Sequence, residues 1–137
     1  MHKLAYIIVV VILLSAFQTN AQTTYDSTGV EGDYLKGWTL VKKAGKFGFI
    51  DKAGKEIVAP QYDYLDRFGE YRKNWLLVKK GNYLGFIDNK GKEIVPTEYQ
   101  SIGQHGEYGN ELPAVNKHGR NGYIDNKGKF NDLEEYH

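Results

Sequence analysis

Residues 47–55 read FGFIDKAGK, and the pattern returns as LGFIDNKGK at residues 84–92 and as NGYIDNKGK at residues 121–129. Corresponding residues in successive copies lie 37 positions apart, and no insertion or deletion interrupts the register. A fixed period of this kind is typical of repeat proteins, in which one supersecondary unit packs against copies of itself. The sequence therefore predicts a repeat architecture organised around this stretch.

The units open at equivalent tyrosines and span about residues 25–61, 62–98 and 99–135. In the first unit we expect a three-stranded meander, with strands at about residues 38–43, 47–51 and 55–59. A tight turn at Ala44-Gly45 joins the first two strands. A fourth short strand near Tyr62 to Leu65 is a weaker expectation.

The turn that ends the repeated stretch has its own signature. Asp51 stands at the first position of a type I turn and Gly54 at the fourth, where an aspartate accepts hydrogen bonds from turn amides and a glycine tolerates left-handed backbone. The same pair recurs in the other two units, as Asp88 with Gly91 and as Asp125 with Gly128. We interpret these residues as structural repeat positions.

A glycine also recurs in the middle of the second strand, at Gly48, Gly85 and Gly122. Glycine weakens a strand unless another group must approach the backbone closely. We expect a bulky ring to lie over it, either the tryptophan of the same hairpin or a tyrosine of the next unit. Pro60 and Pro96 follow the third strand and are expected to end it, because proline cannot donate to the ladder.

These features predict an all-β fold, with tandem antiparallel meander or hairpin repeats in an open, twisted array. An isolated meander cannot bury its face, so the units must share a core. A propeller is not expected, because it takes at least four blades.

The repeated residues resemble the bacterial WG-repeat family, also called KWG repeats. Its units carry lysine-x-tryptophan-glycine-aromatic-isoleucine-aspartate, two further residues and glycine-lysine, and the resemblance covers essentially the whole chain after the signal. The family's tryptophan is replaced here by Phe47, Leu84 and Asn121. The resemblance implies a repeat fold used as a binding or envelope-associated module, and it implies no reaction. The polar segment FND at residues 130–132, in place of EIV, is how an end cap would look.

The first 21 residues have the layout of a secretory signal peptide. A basic start at His2-Lys3 precedes an apolar run at residues 4–17 and a polar stretch that ends in Ala21. This run is shorter than the ~20 residues that span a bilayer, so we expect cleavage after Ala21 rather than a retained anchor. The mature chain, residues 22–137, would be a single domain without a membrane span, in the periplasm, at the cell surface or secreted.

Composition excludes several classes of function. The formal net charge is +1 and the basic residues form no block, so a nucleic-acid partner is not expected. The absence of cysteine removes disulfides, thiolate metal sites and a cysteine nucleophile. The periodic aspartates lie beside lysines, and His105 and His118 have no metal-ligand spacing. We therefore expect no enzyme, no catalytic residue, no metal and no cofactor.

Function is then expected where the units differ or where aromatic rings are exposed. Tentative binding residues are the repeat tryptophans and three residues of the connection after residue 63, namely Trp38, Trp75, Tyr64, Arg67 and Arg72. The first hypothesis is an exported module that binds a protein or another envelope component. The alternative is a carbohydrate or peptidoglycan binder that stacks sugars on aromatic rings. In a third interpretation, the periodic aromatics form only the core between units.

Overall fold

The computed structural model describes residues 24–103 and 113–134 of the chain. Within these ranges the protein is all-β, without an α-helix, as the sequence predicts. The signal-peptide prediction, His105 and the last three residues lie outside the described residues. The strands of the described part are β1 (Ser27–Thr28), β2 (Thr39–Lys43), β3 (Lys46–Ile50), β4 (Glu56–Tyr62), β5 (Tyr64–Leu65), β6 (Trp75–Lys80), β7 (Tyr83–Asp88), β8 (Glu93–Ile102), β9 (Ala114–Lys117), β10 (Arg120–Ile124) and β11 (Phe130–Asp132).

The described strands form two open antiparallel sheets. One has the order β1-β2-β3-β4 and the other the order β11-β10-β9-β8-β7-β6-β5. Strands consecutive in sequence pair with one another, with one exception: β4 and β5 follow each other in the chain but lie in different sheets. At the next boundary the chain runs on as the single strand β8, which pairs with both β7 and β9. The predicted fourth strand is therefore present, and it opens the next meander rather than closing its own.

The predicted turns are confirmed. Ala44 and Gly45 have φ values of 51° and 80°, so both residues are left-handed, as a two-residue hairpin with matching twist requires. In the other turn, Asp51 Oδ1 accepts hydrogen bonds of 2.9 Å from the backbone N–H groups of Ala53 and Lys55. The equivalent aspartates of the second and third units make the same pair of bonds, also at 2.9 Å.

The turn aspartate of the third unit, Asp125, has a lowered pKa. Burial would raise the pKa of Asp125, but hydrogen bonds from the backbone of Lys129 and Lys127 and from Asn131 outweigh it and lower that pKa. The carboxylate is thus held in the form that caps the turn.

The mid-strand glycine makes room for backbone, which corrects the expected ring. A Cβ atom on Gly48 would lie 2.4 Å from the carbonyl oxygen of Val58 and 2.7 Å from the nitrogen of Pro60. On Gly85 it would lie 2.4 Å from the carbonyl oxygen of Val95. At Gly122 a ring does approach, that of Phe130 at 2.5 Å, but it is neither the tryptophan nor a tyrosine of a following unit.

The expected role of the prolines is wrong for the same reason. Pro60 lies inside β4 and Pro96 inside β8. Between the pairs Phe47–Tyr62 and Phe49–Val58 the register shifts, so β4 bulges where Pro60 lies. A bulged residue needs no ladder hydrogen bond, so proline fits there without ending the strand. The bulge presses against the strand beside it, and only glycine accommodates that approach.

Two hydrophobic clusters lie between successive units. The first contains Trp38, Phe49, Val58, Tyr62, Leu76, Val78 and Ile87, and the second contains Trp75, Leu77, Phe86, Val95, Tyr99, Val115 and Ile124. Adding 37 to six of the first seven numbers gives six of the second, with the same residue type each time. Each cluster joins one unit to the next, so the middle unit is buried on both faces.

Candidate functional site

A shallow cavity lies where the first unit meets the second. Its volume is about 210 Å³, and it is lined by Tyr34, Phe47, Tyr64 and Leu65. Phe47 comes from β3 of the first sheet, whereas Tyr64 and Leu65 form β5 at the edge of the second sheet. We refer to these four residues as the junction pocket. Its walls are apolar and aromatic, which suits a ligand that presents a flat apolar face.

Arg67 holds the connection after β5 against the first unit. Its guanidinium lies 4.4 Å from the centre of the Tyr34 ring. Nη1 also donates to the backbone carbonyl of Asp33 at 3.1 Å and lies 3.3 Å from the Asp33 carboxylate. These contacts fix the orientation of a cation beside the pocket, and about half of each charged side chain stays exposed, 52% for Arg67 and 55% for Asp33.

Two tyrosine hydroxyls of this region, those of Tyr34 and Tyr71, have raised pKa values. Burial raises the pKa of Tyr34, against the opposing effect of Arg67, and the nearby Asp33, Tyr64 and Asp66 raise it further. Burial also raises the pKa of Tyr71, and Asp66 and Tyr64 add to that shift. At neutral pH each phenol both donates and accepts hydrogen bonds.

Contacts from both sheets anchor β5. Asp63 precedes β5, accepts from the backbone N–H of Gly81 at 2.7 Å and pairs with the Lys46 ammonium. The hydrogen bond from Lys46, followed by that from Gly81, lowers the pKa of Asp63. The ammonium of Lys42 lies 5.2 Å from the centre of the Phe47 ring. The edge strand that supplies Tyr64 is thus tied both to its own hairpin and to the first unit.

Of the residues predicted from sequence, the structure brings Tyr64 and Arg67 to this site. Tyr64 is 51% exposed, more than any other aromatic residue among the large exposed hydrophobics of the described part. Sequence reasoning missed Tyr34, Phe47 and Leu65 as site residues. The signal was there for Phe47, because the equivalent residues in the other units are Leu84 and Asn121.

The structure does not bring Trp38 and Trp75 to the site, which corrects their assignment as binding residues. They are 8% and 9% exposed and belong to the two hydrophobic clusters. Each packs at about 5 Å on the phenylalanine of its own hairpin, with ring centres 4.9 Å apart for Trp38–Phe49 and 5.2 Å for Trp75–Phe86. Rings this buried cannot stack on a sugar, so the core interpretation holds for both.

Arg72 also lies away from the pocket. Its guanidinium is 5.3 Å from the centre of the Trp75 ring, at the second junction. Its Nη1 is buried without a hydrogen-bond partner among the described residues. Phe68 packs edge-on against Trp38 with ring centres 5.6 Å apart, and Asn74 takes a left-handed φ of 67° in the turn before β6. These three residues shape the connection rather than the pocket.

The described residues contain no group of three or more histidine, cysteine, aspartate or glutamate side chains arranged to hold a metal ion. They also contain no helix long and apolar enough to cross a membrane.

Comparison with known families gives one result. The family model described as "WG containing repeat" matches residues 47–83 and 85–104. The family model matches fewer residues than the resemblance described from the sequence, which extends over essentially the whole chain after the signal. No curated protein and no solved structure gives a match to the chain.

Proposed function

We propose that this chain, whose residues 47–83 and 85–104 match the WG-repeat family model, is an exported, non-enzymatic β-repeat module that binds a partner at the cell envelope. The repeat supplies a rigid scaffold, because each unit is held to the next by a cluster of the same residue types. Export is supported by the signal layout of residues 1–21.

One observation carries the binding proposal: two of the four residues of the junction pocket, Tyr64 and Phe47, are not required by the repeat. Tyr64 corresponds to Ser27 and Ser101 in the other units, and Phe47 to Leu84 and Asn121. A tyrosine at 51% exposure gains less from the fold than a buried one, since about half of the residue remains in water. Tyrosine and arginine are enriched among residues that dominate binding energy at interfaces.

The partner class follows from the compartment. An exported module meets two kinds of surface that fit an aromatic pocket, a side chain of another envelope protein and a sugar of the envelope. Both are read by rings that combine apolar area with a polar edge.

Binding is tested by retention of the protein on a native envelope preparation. We expect Tyr64→Ala to reduce retention by about tenfold or more, since removing an interface hot spot costs over roughly 1.4 kcal/mol. Tyr83→Ala is the matched control, because Tyr83 lies in the same unit and is 40% exposed but lies outside the pocket. Equal retention of the wild type and both variants would contradict the proposal.

Export is tested on the full chain expressed in a bacterial host. We expect the protein outside the cytoplasm, with a mass that lacks residues 1–21. Cytoplasmic protein of full mass would show that the first segment is not a cleaved signal.

A further inference from the structure

We infer that the junction pocket binds one sugar ring of an envelope glycan, an assignment that rests on the proposed function of envelope binding. The ring would lie against the aromatic walls of the pocket, and its hydroxyl groups would meet the charged groups at the rim.

Size sets the first limit. A cavity of about 210 Å³ is smaller than the roughly 300–1,000 Å³ of sites that enclose a drug-sized ligand. It has room for one ring and leaves the rest of a longer ligand outside. A terminal or side-branch sugar of a polymer satisfies this limit, because the remainder of the polymer stays in solvent.

The walls of the pocket consist mainly of aromatic rings. Tyr64 is 51% exposed, and Phe47 and Tyr34 are half-buried. Leu65 completes the apolar surface. The C–H face of a pyranose is apolar and matches the negative face of an aromatic ring, so stacking buries area on both partners.

The rim distinguishes a sugar from a protein side chain. Arg67 lies 4.4 Å from the centre of the Tyr34 ring and forms an ion pair of 3.3 Å with Asp33, so one donor and one acceptor border the same ring. A sugar carries several hydroxyl groups, each of which donates one hydrogen bond and accepts others. A phenylalanine, tyrosine or tryptophan side chain of a partner protein has at most one polar atom. It would cover these charged groups without replacing their water, which is costly.

The rim is also ordered before any ligand arrives. Arg67 is fixed by the Tyr34 ring and by two oxygens of Asp33, while about half of its side chain stays exposed. Groups already held in place lose less entropy on binding, which favours a weak ligand such as a single ring.

The test uses the full exported protein on a printed array of bacterial envelope oligosaccharides. The retained oligosaccharide is then titrated in solution while tyrosine and tryptophan fluorescence is followed. We expect saturable binding of one ring per protein chain. Tyr64→Ala and Phe47→Leu should weaken it at least tenfold, and Tyr83→Ala should leave it unchanged. Phe47→Leu introduces the residue that the second unit carries at Leu84, so it removes the ring while keeping an apolar side chain.

Three results would overturn the inference. One is an array without a retained glycan, and another is glycan binding that Tyr64→Ala leaves intact. The third is saturable binding of N-acetyl-tryptophanamide in the pocket without any glycan, which would assign the pocket to a protein side chain.

Retention on the envelope preparation distinguishes a failure of the sugar assignment from a failure of the proposed envelope binding. If Tyr64→Ala abolishes retention while no glycan binds, the sugar assignment fails and the binding module stands. If retention is unchanged as well, both fail.

Discussion

The two junctions between units have nearly the same core and different rims. Six buried positions repeat with identical residue types, from Trp38 and Trp75 to Ile87 and Ile124. The tyrosine that leads into each cluster is also packed alike: Tyr34 meets Phe49 at 5.1 Å and Tyr71 meets Phe86 at 5.3 Å, both edge-on. The register of the repeat is therefore fixed by the core.

The rims differ because packing of the core does not require particular side chains at the pocket positions. At the first junction the pocket positions hold Tyr34, Phe47, Tyr64 and Leu65, and at the second they hold Tyr71, Leu84, Ser101 and Ile102. Two of the rings are thus absent from the second junction. In our proposal, the first junction carries recognition in addition to cohesion.

A second contrast lies at the tyrosine that opens each unit. The Tyr62 hydroxyl donates to Glu93 at 2.8 Å, and the Tyr25 hydroxyl donates to Glu56 at 3.1 Å. In the third unit Phe130 takes the place of the glutamate, and its ring centre lies 6.1 Å from that of Tyr99. The end unit exchanges a hydrogen bond for a ring contact.

The largest effect is expected at the bulge. Gly85→Ala places a Cβ atom 2.4 Å from the backbone oxygen of Val95, and a strand buried between two sheet neighbours cannot move aside. We expect a loss of about 3 kcal/mol or more in the free energy of unfolding, measured by urea denaturation. The control is Gly29→Ala, where the nearest atom is 3.3 Å away and belongs to a side chain, Cβ of Leu40. A smaller loss for Gly85→Ala than for Gly29→Ala would contradict the backbone account.

The next effect separates the middle unit from the first. Leu76 is fully buried in the first cluster, and its equivalent in the first unit is Thr39, which is partly exposed. Leu76→Thr should cost about 2–3 kcal/mol, because it removes apolar volume and buries a hydroxyl. The reciprocal Thr39→Leu should change the free energy of unfolding little, by under about 0.5 kcal/mol. Similar losses for the two exchanges would mean that both units are buried alike.

A smaller effect should appear in alkaline solution. Burial raises the pKa of Tyr99 to about 12, and burial together with the Glu93 hydrogen bond raises that of Tyr62 above its usual range. Folding thus favours the neutral phenols, so their stabilisation is complete below the unfolded pKa of about 10 and is lost as pH rises toward the folded pKa.

We therefore expect the urea midpoint to fall between about pH 10 and 12. Tyr62→Phe and Tyr99→Phe should each reduce the loss of unfolding free energy over this pH range, by roughly 1–2 kcal/mol. Tyr83→Phe, at an exposed position, serves as the control. An unchanged slope in both core variants would show that these phenols titrate alike in the folded and unfolded states.

The smallest effect is expected at the rim. Arg67→Ala removes the ring contact with Tyr34 and the ion pair with Asp33, both partly solvated. The expected loss is about 0.5–1 kcal/mol, and it should shrink at high salt as the ion pair is screened. Arg67→Lys keeps the charge but lacks the planar group, so it should recover only part of the loss. A loss above about 2 kcal/mol would place Arg67 in the core of the junction rather than at its rim.

Much of the fold was predictable because it depends on short turn sequences that recur in each unit. The hairpin at Ala44-Gly45 and the turn from Asp51 to Gly54 depend on a few adjacent residues, and both are present as predicted. The bulge at Pro60 was not predictable in the same way. It depends on the strand opposite, where Gly48 lies against the bulged backbone, so neither residue shows its role alone.

The site was predictable only in part. Tyr64 and Arg67 stood out because they break the repeat, whereas Tyr34 follows it and so gave no signal. Trp38 and Trp75 were ambiguous, because a repeated aromatic residue serves a core and a binding ladder equally well. Burial decided between the two, and burial depends on what the neighbouring unit contributes.

The sequence by itself determined the number and length of the repeats, the all-β class and the capped turns. These follow from side-chain period, turn chemistry and the positions of glycine and aspartate, all of which act over a few residues. The tertiary structure alone decided which rings are buried and that β4 and β5 part into separate sheets. It also decided that Tyr34, Phe47 and Tyr64 meet in one pocket. Such contacts join residues far apart in the chain, and they form only when one unit packs against the next.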